Sequence, residues 1–75
     1  MDIKTFYSTI EDIFEVDAGD VTGIESLSES ELLNSLSIIG LISFLDKKCN
    51  LQMEPVDILK VGTINDLYQL VNKNA

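Results

Sequence analysis

Hydrophobic residues recur at helical spacing near the start of the chain. Apolar residues three and four apart predict an amphipathic first helix over about residues 2–15, with its acidic side chains facing water. The predicted apolar face consists of Ile3, Phe6, Ile10, Ile13 and Phe14. The acids expected to face water are Glu11, Asp12 and Glu15.

The helical period is lost over residues 16–34, which predicts a long connection. Glycines and turn-forming residues interrupt the pattern there. The apolar residues expected to point inward and hold this loop on the core are Val21, Ile24 and Leu27. Ser28 followed by Glu31 matches a capping box, so about one helical turn is expected within the loop. Connections of this length are uncommon in compact domains and are often functional.

A second helix is predicted from Ser35 to about Cys49, and it is apolar on nearly every side. Such a helix is either buried on several sides or binds something with its spare face. The tightest helical set, expected in the core, is Ile38, Leu41, Ile42 and Leu45. The residues expected nearer the surface are Leu36, Ile39 and Ser43, and Asn50 is a plausible C-terminal cap.

Two more helices follow. Pro55 suits a first helical position, so a single-turn helix is predicted from Pro55 to about Leu59, in a region ended by Gly62. Thr63 and Asp66 form a second capping-box pattern before a last helix at about residues 63–73. Its apolar face consists of Ile64, Leu67, Tyr68 and Val71. No hairpin pattern is visible, so the fold class is all-α: a small bundle of three main helices and one short helix, forming a single domain over residues 1–75.

Charge is distributed unevenly. The net charge is −8. Residues 1–35 contain nine acids and one base, whereas residues 36–75 contain four of each. This distribution argues against nucleic acid and anionic membranes as partners, since both require clustered Lys and Arg. It favours a partner with a basic surface, and solubility alone is the alternative explanation.

The candidate chemistry is limited. No His is present, Cys49 is the only cysteine, and no Gly-rich phosphate loop exists, so we expect neither a metal site nor an independent enzyme. The N-terminal residues do not resemble a signal peptide. The longest uncharged run has 14 residues, whereas a membrane span needs about 20. A lone thiol suits a reducing compartment, so a soluble cytoplasmic protein is expected.

The stretch "NSL" at residues 34–36 opens the second helix. Asn34 and Ser35 are both preferred N-caps, and one of them is enough for capping. Ser35 is also expected to be exposed at the positive end of the helix dipole, where an attached phosphate would be stabilised. The sequence therefore allows Ser35 to be either a simple helix cap or a modification site.

The ordered set of features resembles an acyl carrier protein of the phosphopantetheine-binding carrier superfamily. The resemblance covers nearly the whole chain, through its size, its acidity, the first helix and the long first loop. It rests on "NSLSIIGLISFLDKKCNLQM", on "EPVDI", which is similar to the short third helix of the family, and on "VGTINDLYQLV", which is similar to its closing helix.

This resemblance implies that Ser35 carries a 4′-phosphopantetheine arm, with Asn34 and Leu36 flanking the attachment point. A separate phosphopantetheinyl transferase would supply the arm from coenzyme A, using Mg²⁺ in its own site. The terminal thiol of the arm would hold an acyl or aminoacyl group as a thioester for fatty acid, polyketide or nonribosomal peptide biosynthesis. The expected partners are the transferase, a loading enzyme and downstream enzymes, which would contact Leu36, Ile39, Glu29 and Glu31 of a monomeric carrier.

Two departures from the family pattern refine this expectation. Asn34 stands where the family usually has Asp, so a transferase that reads that charge would load Ser35 more slowly. The exposed side of the second helix also lacks the acids usual in fatty acid carriers. The residues expected in that region are Ser37, Gly40, Ser43, Lys47 and Lys48. We therefore expect a carrier for a specialised pathway. The alternative is a helical interaction module that keeps the bundle without the arm.

Overall fold

The computed structural model describes residues 1–28 and 34–74, with the side chain of Asn74 excepted. Four helices occur in this part of the chain: α1 (Ile3–Phe14), α2 (Ser35–Cys49), α3 (Pro55–Val61) and α4 (Ile64–Asn74). Within these residues there is no strand, only an isolated antiparallel bridge between Ser26 and Thr63. The all-α fold class is confirmed, with every helix boundary within about two residues of its prediction.

Helix α1 is defined by its caps and its apolar stripe. The Asp2 carboxylate accepts a hydrogen bond from the Thr5 backbone N–H at 2.7 Å, which satisfies one of the free donors of the first turn. Glu15 ends the helix in the left-handed conformation, with φ of 58°. Phe6, Ile10 and Phe14, spaced four apart, are buried against the rest of the bundle.

Helix α2 lies at the centre and contacts each of the other three helices. Of the four residues predicted for its core face, Leu41 and Leu45 are fully buried, whereas Ile38 and Ile42 are only partly buried. Asn50 ends the helix in the left-handed conformation, as the sequence predicted.

The C-terminal helices follow the predicted pattern. Pro55 opens α3, which extends beyond the predicted single turn to Val61 and buries only Ile58 fully. Before α4, the Asp66 carboxylate accepts from the Thr63 backbone N–H and the Thr63 hydroxyl accepts from the Asp66 backbone N–H, both at 3.1 Å. This reciprocal pair is the predicted capping box.

The hydrophobic core is formed by side chains from all four helices and from the first loop. Phe6 lies within it and contacts the rings of Tyr7, Phe44 and Tyr68, with ring centroids 5.3–6.3 Å apart in tilted arrangements. The buried residues of this core are Phe6, Ile10, Phe14, Val21, Leu27, Leu41, Leu45, Ile58, Ile64, Leu67 and Val71. No helix in the described part of the chain is long and apolar enough to cross a membrane.

The first loop is attached to the start of α4. The Leu27 N–H donates to the Gly62 carbonyl at 2.7 Å, and the N–H groups of the first two α4 residues, Ile64 and Asn65, donate to loop carbonyls. Val21 and Leu27 are buried, as predicted. The expectation for Ile24 is wrong, because the backbone bonds on either side of it turn its side chain into solvent, where it is 82% exposed.

The prediction that Glu11 faces water is also wrong. Glu11 is 8% exposed. Its carboxylate accepts backbone hydrogen bonds from Gly19 at 2.8 Å and Val21 at 3.1 Å. The loop after α1 folds back over this carboxylate, which a helical pattern within α1 does not reveal. The predicted capping box ending at Glu31 lies outside the described residues.

Candidate functional site

Ser35 is the first residue of α2 and its side chain is exposed. The preceding residue, Asn34, has an extended backbone, with φ of −119° and ψ of −179°, so the helical conformation begins at Ser35 itself. The start of a helix presents backbone N–H groups without intrahelical partners and the positive end of the dipole. Ser35 therefore offers a hydroxyl to solvent in an environment that favours negative charge.

Asn34 supplies the cap of α2. Its side-chain Oδ1 accepts a hydrogen bond from the Ser37 backbone N–H at 3.0 Å, and its carbonyl accepts from the Ile38 N–H at 2.9 Å. The sequence left open whether Asn34 or Ser35 provides the cap, and the geometry assigns that role to Asn34. The hydroxyl of Ser35 is not needed for capping.

Ser37 differs sharply from Ser35 in accessibility. It was expected on the exposed side of α2, and that expectation is wrong, because the side chain is only 4% exposed. Ser37 precedes the fully buried Leu41 by four residues, so both lie on the same inward face of the helix. Of the two serines in the stretch "NSLS", only the first is open to an external enzyme.

Two apolar side chains lie close to Ser35 on the surface. Leu36 is 82% exposed and Ile39, three residues on, is 65% exposed, in agreement with the sequence prediction. Gly40 was expected to be exposed but is partly buried: a β-carbon there would lie 3.1 Å from a methyl group of Ile13, so α1 and α2 approach closely at this glycine.

The exposed charges of α2 lie at its C-terminal end. Asp46, Lys47 and Lys48 are all exposed. The two lysines stand in the last turn, where positive charge stabilises the negative end of the dipole. Glu29 and Glu31, predicted as partner-binding acids, lie outside the described residues.

Two carboxylates each accept more than one hydrogen bond from the described part of the loop before α2, a role that was not predicted from the sequence. One is Glu11, described above. The other is Glu25, which accepts from the Thr22 N–H at 2.8 Å, the Thr22 hydroxyl at 3.1 Å and the Gly23 N–H at 2.8 Å. Partial burial alone would raise the pKa of Glu25, but the hydrogen bonds from Thr22 and Gly23 outweigh it and lower the pKa below its usual value. The spacing of Thr22 and Glu25, three residues apart in a glycine-containing turn, is the signal that could have located it.

Other reactive groups play no visible part in this site. Cys49 is partly buried near the end of α2, and burial raises the pKa of its thiol, which keeps the sulfur in the less nucleophilic protonated form. Among residues 1–28 and 34–74, no group of three potential metal ligands comes together.

The site thus consists of an exposed serine hydroxyl at the start of the central helix, with the helix already capped by the residue before it. The family model described as "Phosphopantetheine attachment site" matches residues 4–71. The chain therefore belongs to this family, and it is a carrier protein whose cofactor is covalently bound 4′-phosphopantetheine. Comparison with curated proteins and with solved structures found no match.

Membership of this family sets the general function. Carrier domains of this kind are generally non-catalytic, and they interact with the enzymes that modify them and with biosynthetic enzymes. The N-terminus of α2 fits a phosphodiester, since it combines an accessible hydroxyl with helix N–H groups that stabilise an anion. Asn34 keeps the shape and the capping bond of the usual Asp but removes one negative charge.

Proposed function

We propose that this protein carries an acyl or aminoacyl group as a thioester on a 4′-phosphopantetheine arm attached to Ser35. The observation that carries this proposal is the exposure of Ser35 at the first position of α2, with the cap already provided by Asn34. The protein acts as a carrier subunit, and separate enzymes perform the chemistry.

The residues around Ser35 have distinct roles in loading. The Ser35 oxygen bonds to the phosphorus next to the pantetheine unit of coenzyme A, the nucleotide half of coenzyme A leaves, and the transferase takes the hydroxyl proton. Asn34 holds the first turn of α2 in place, so the N–H groups of Ser35 and Leu36 stabilise the resulting phosphodiester. The arm, once attached, supplies a thiol for thioester formation, so the partly buried Cys49 is not required.

We propose further that partner enzymes contact the surface next to Ser35. An enzyme that acts on cargo held by the arm must approach this end of α2, where Leu36 and Ile39 are exposed. A few well-buried residues at the centre of an interface contribute most of its affinity, and an aliphatic side chain that fills a pocket can be one of them, whereas charges at the rim mainly accelerate association. The acids Glu29 and Glu31, which precede α2 in the sequence, complete this surface in our proposal.

The charge of α2 supports a specialised pathway. Its exposed charged residues, Asp46, Lys47 and Lys48, do not form an acidic surface, so an enzyme that recognises carriers through basic residues gains little from this helix. We expect a housekeeping acyltransferase to acylate the wild type poorly and the variant carrying Lys47→Glu and Lys48→Glu better. If the acyltransferase acylates the wild type as well as it acylates the variant, the assignment to a specialised pathway is wrong. In the same proposal, residues 1–75 form one monomeric carrier domain that works in the cytoplasm.

Intact-mass measurement tests the attachment site. The apo protein is incubated with coenzyme A, Mg²⁺ and a broad-specificity phosphopantetheinyl transferase. We expect the wild type to gain the mass of one phosphopantetheine and Ser35→Ala to gain none. Ser37→Ala is the matched control, because it removes the buried serine of the same stretch and should still be loaded. Circular dichroism checks that each variant is helical.

The loading experiment also separates the carrier from the interaction module. If several transferases, including one encoded nearby, leave the wild type unmodified, Asn34→Asp restores the family's usual acid and shows whether position 34 limits the reaction. Loading of Asn34→Asp alone would identify a chain that has lost its attachment function. Loading of Ser35→Ala would contradict the assignment of the site.

A further inference from the structure

Ile24 is the most unexpected exposed side chain of the first loop. It is 82% exposed, although Gly23 on one side is buried and Glu25 on the other is partly buried. Single exposed apolar residues are common on proteins and most have no function. Ile24 differs from them because the backbone on both sides of it is fixed.

The fixation comes from the start of α4 and from the loop itself. The Asn65 N–H donates to the Gly23 carbonyl at 2.9 Å, and the Ile64 N–H donates to the Glu25 carbonyl at 3.1 Å. The Glu25 carboxylate accepts from Gly23 as well, which closes the turn on its other side. Ile24 cannot turn inward without breaking these bonds, so the fold imposes its exposure.

A rigid apolar side chain on a tight turn suits recognition. Binding such a residue loses little conformational entropy, since the backbone is already ordered. Apolar anchors that enter a pocket on the partner account for much of the affinity of protein interfaces. The turn therefore has the properties of a protein-binding site in which Ile24 is the contact residue and the hydrogen bonds of Gly23 and Glu25 fix its position.

The charge around Ile24 limits which kind of molecule could bind there. Asp17 and Asp20 are exposed in the same loop, and the first 35 residues contain nine acids and one base. An anionic membrane or nucleic acid would be repelled, and a second copy of the chain would present the same acidic loop. A protein with an apolar pocket bordered by Lys or Arg is complementary in both shape and charge.

We propose that Ile24 docks into a basic-rimmed apolar pocket on the phosphopantetheinyl transferase that attaches the arm to this carrier. This inference rests on the proposed function, and it adds a contact on the first loop to the surface formed by Leu36 and Ile39. Ile24 supplies the apolar anchor, while Asp17 and Asp20 guide association through their charge.

The test measures the steady-state kinetics of arm attachment to the apo protein by a purified broad-specificity phosphopantetheinyl transferase. We expect Ile24→Ser to raise the KM for the carrier about tenfold with kcat within about twofold, as loss of an interface anchor predicts. Ile24→Val is the matched control and should remain near the wild type, because it keeps an apolar side chain. Circular dichroism should show unchanged melting for both variants, since the residue is exposed.

Charge and self-association give independent readouts. Replacing both acids, with Asp17→Asn and Asp20→Asn, should weaken the dependence of KM on salt, whereas Ile24→Ser should leave that dependence in place. Wild-type kinetics for Ile24→Ser with the transferase would overturn the inference and leave the proposed function intact. Failure of the wild type to be loaded at all would overturn both. Dimerisation that Ile24→Ser abolishes would assign the residue to contacts between copies and would also overturn the inference.

Discussion

Removal of the Glu11 carboxylate should destabilise the protein much more than removal of an exposed carboxylate from the same helix. Glu11→Ala leaves the Gly19 and Val21 N–H groups without their acceptor. A buried donor without a partner costs about 1–3 kcal/mol. Because the Val21 group is buried and the Gly19 group is only partly buried, we expect a combined loss of about 2–4 kcal/mol.

This loss is large relative to the total stability. At roughly 0.05–0.15 kcal/mol per residue, a 75-residue protein has an unfolding free energy of roughly 4–11 kcal/mol. Urea unfolding followed by circular dichroism should show a midpoint lower by about 2 M or more, given a slope near 1 kcal/mol/M for a small protein. Glu11→Gln keeps an acceptor oxygen but loses the charge, so it should cost about 1 kcal/mol.

Asp12→Ala is the matched control for this experiment. It removes the same charge from the neighbouring position of α1, but the Asp12 side chain is exposed. Substitutions at such positions usually change stability by less than about 0.5 kcal/mol. If Glu11→Ala unfolds at the same urea concentration as Asp12→Ala, the carboxylate does not hold the loop and the reasoning is wrong.

Three further predictions concern the first loop and the cap of α2. Gly23→Ala should destabilise the protein more than Gly19→Ala in thermal unfolding, because both have positive φ but only at Gly23 would a β-carbon collide with the Tyr7 hydroxyl. Asn34→Ala should lower the unfolding free energy by about 1 kcal/mol through loss of the cap, whereas Asn34→Asp should match or exceed the wild type. The lowered pKa of Glu25 means that its ionised form stabilises the fold, a contribution present above its usual pKa of 4.5 and lost as pH falls through the folded-state pKa. Stability measured between about pH 5 and pH 3 should therefore fall more steeply for the wild type than for Glu25→Gln.

Each of these predictions has a clear contrary outcome. Equal melting temperatures for the two glycine variants would show that Tyr7 moves aside without cost. An unchanged unfolding free energy for Asn34→Ala would contradict its role as the cap. Parallel pH profiles for the wild type and Glu25→Gln would show that the hydrogen bonds of this turn do not favour the charged carboxylate.

The helices were predictable because their signals are local. Spacings of three and four identified the faces of α1 and α4, except that Ile3, predicted on the apolar face of α1, is exposed at the first position of that helix. Pro55, Thr63 and Asp66 marked helix starts through geometry that depends only on nearby residues. The exposure of Leu36 and Ile39 also followed from helical spacing once the core face of α2 was assigned. The position of the candidate site at the start of α2 required no tertiary information.

The errors occurred where distant segments meet. Glu11 is buried because the loop folds back onto α1, and Ile24 is exposed because α4 binds the loop on either side of it. Ser37 was placed on the outer side by analogy with related carriers, although its spacing from Leu41 places it inward. Hydrogen bonds between residues up to about forty positions apart decide the first two cases, and no local pattern encodes them.

The central claim is that Ser35 carries the arm, and the most direct test is mass spectrometry of the protein purified from the cells that produce it. Intact mass shows whether the protein is modified, and fragmentation of the peptide containing Ser35 and Ser37 shows which serine holds the group. We predict one phosphopantetheine, on Ser35. An unmodified chain, or a modification on any other residue, would contradict the claim.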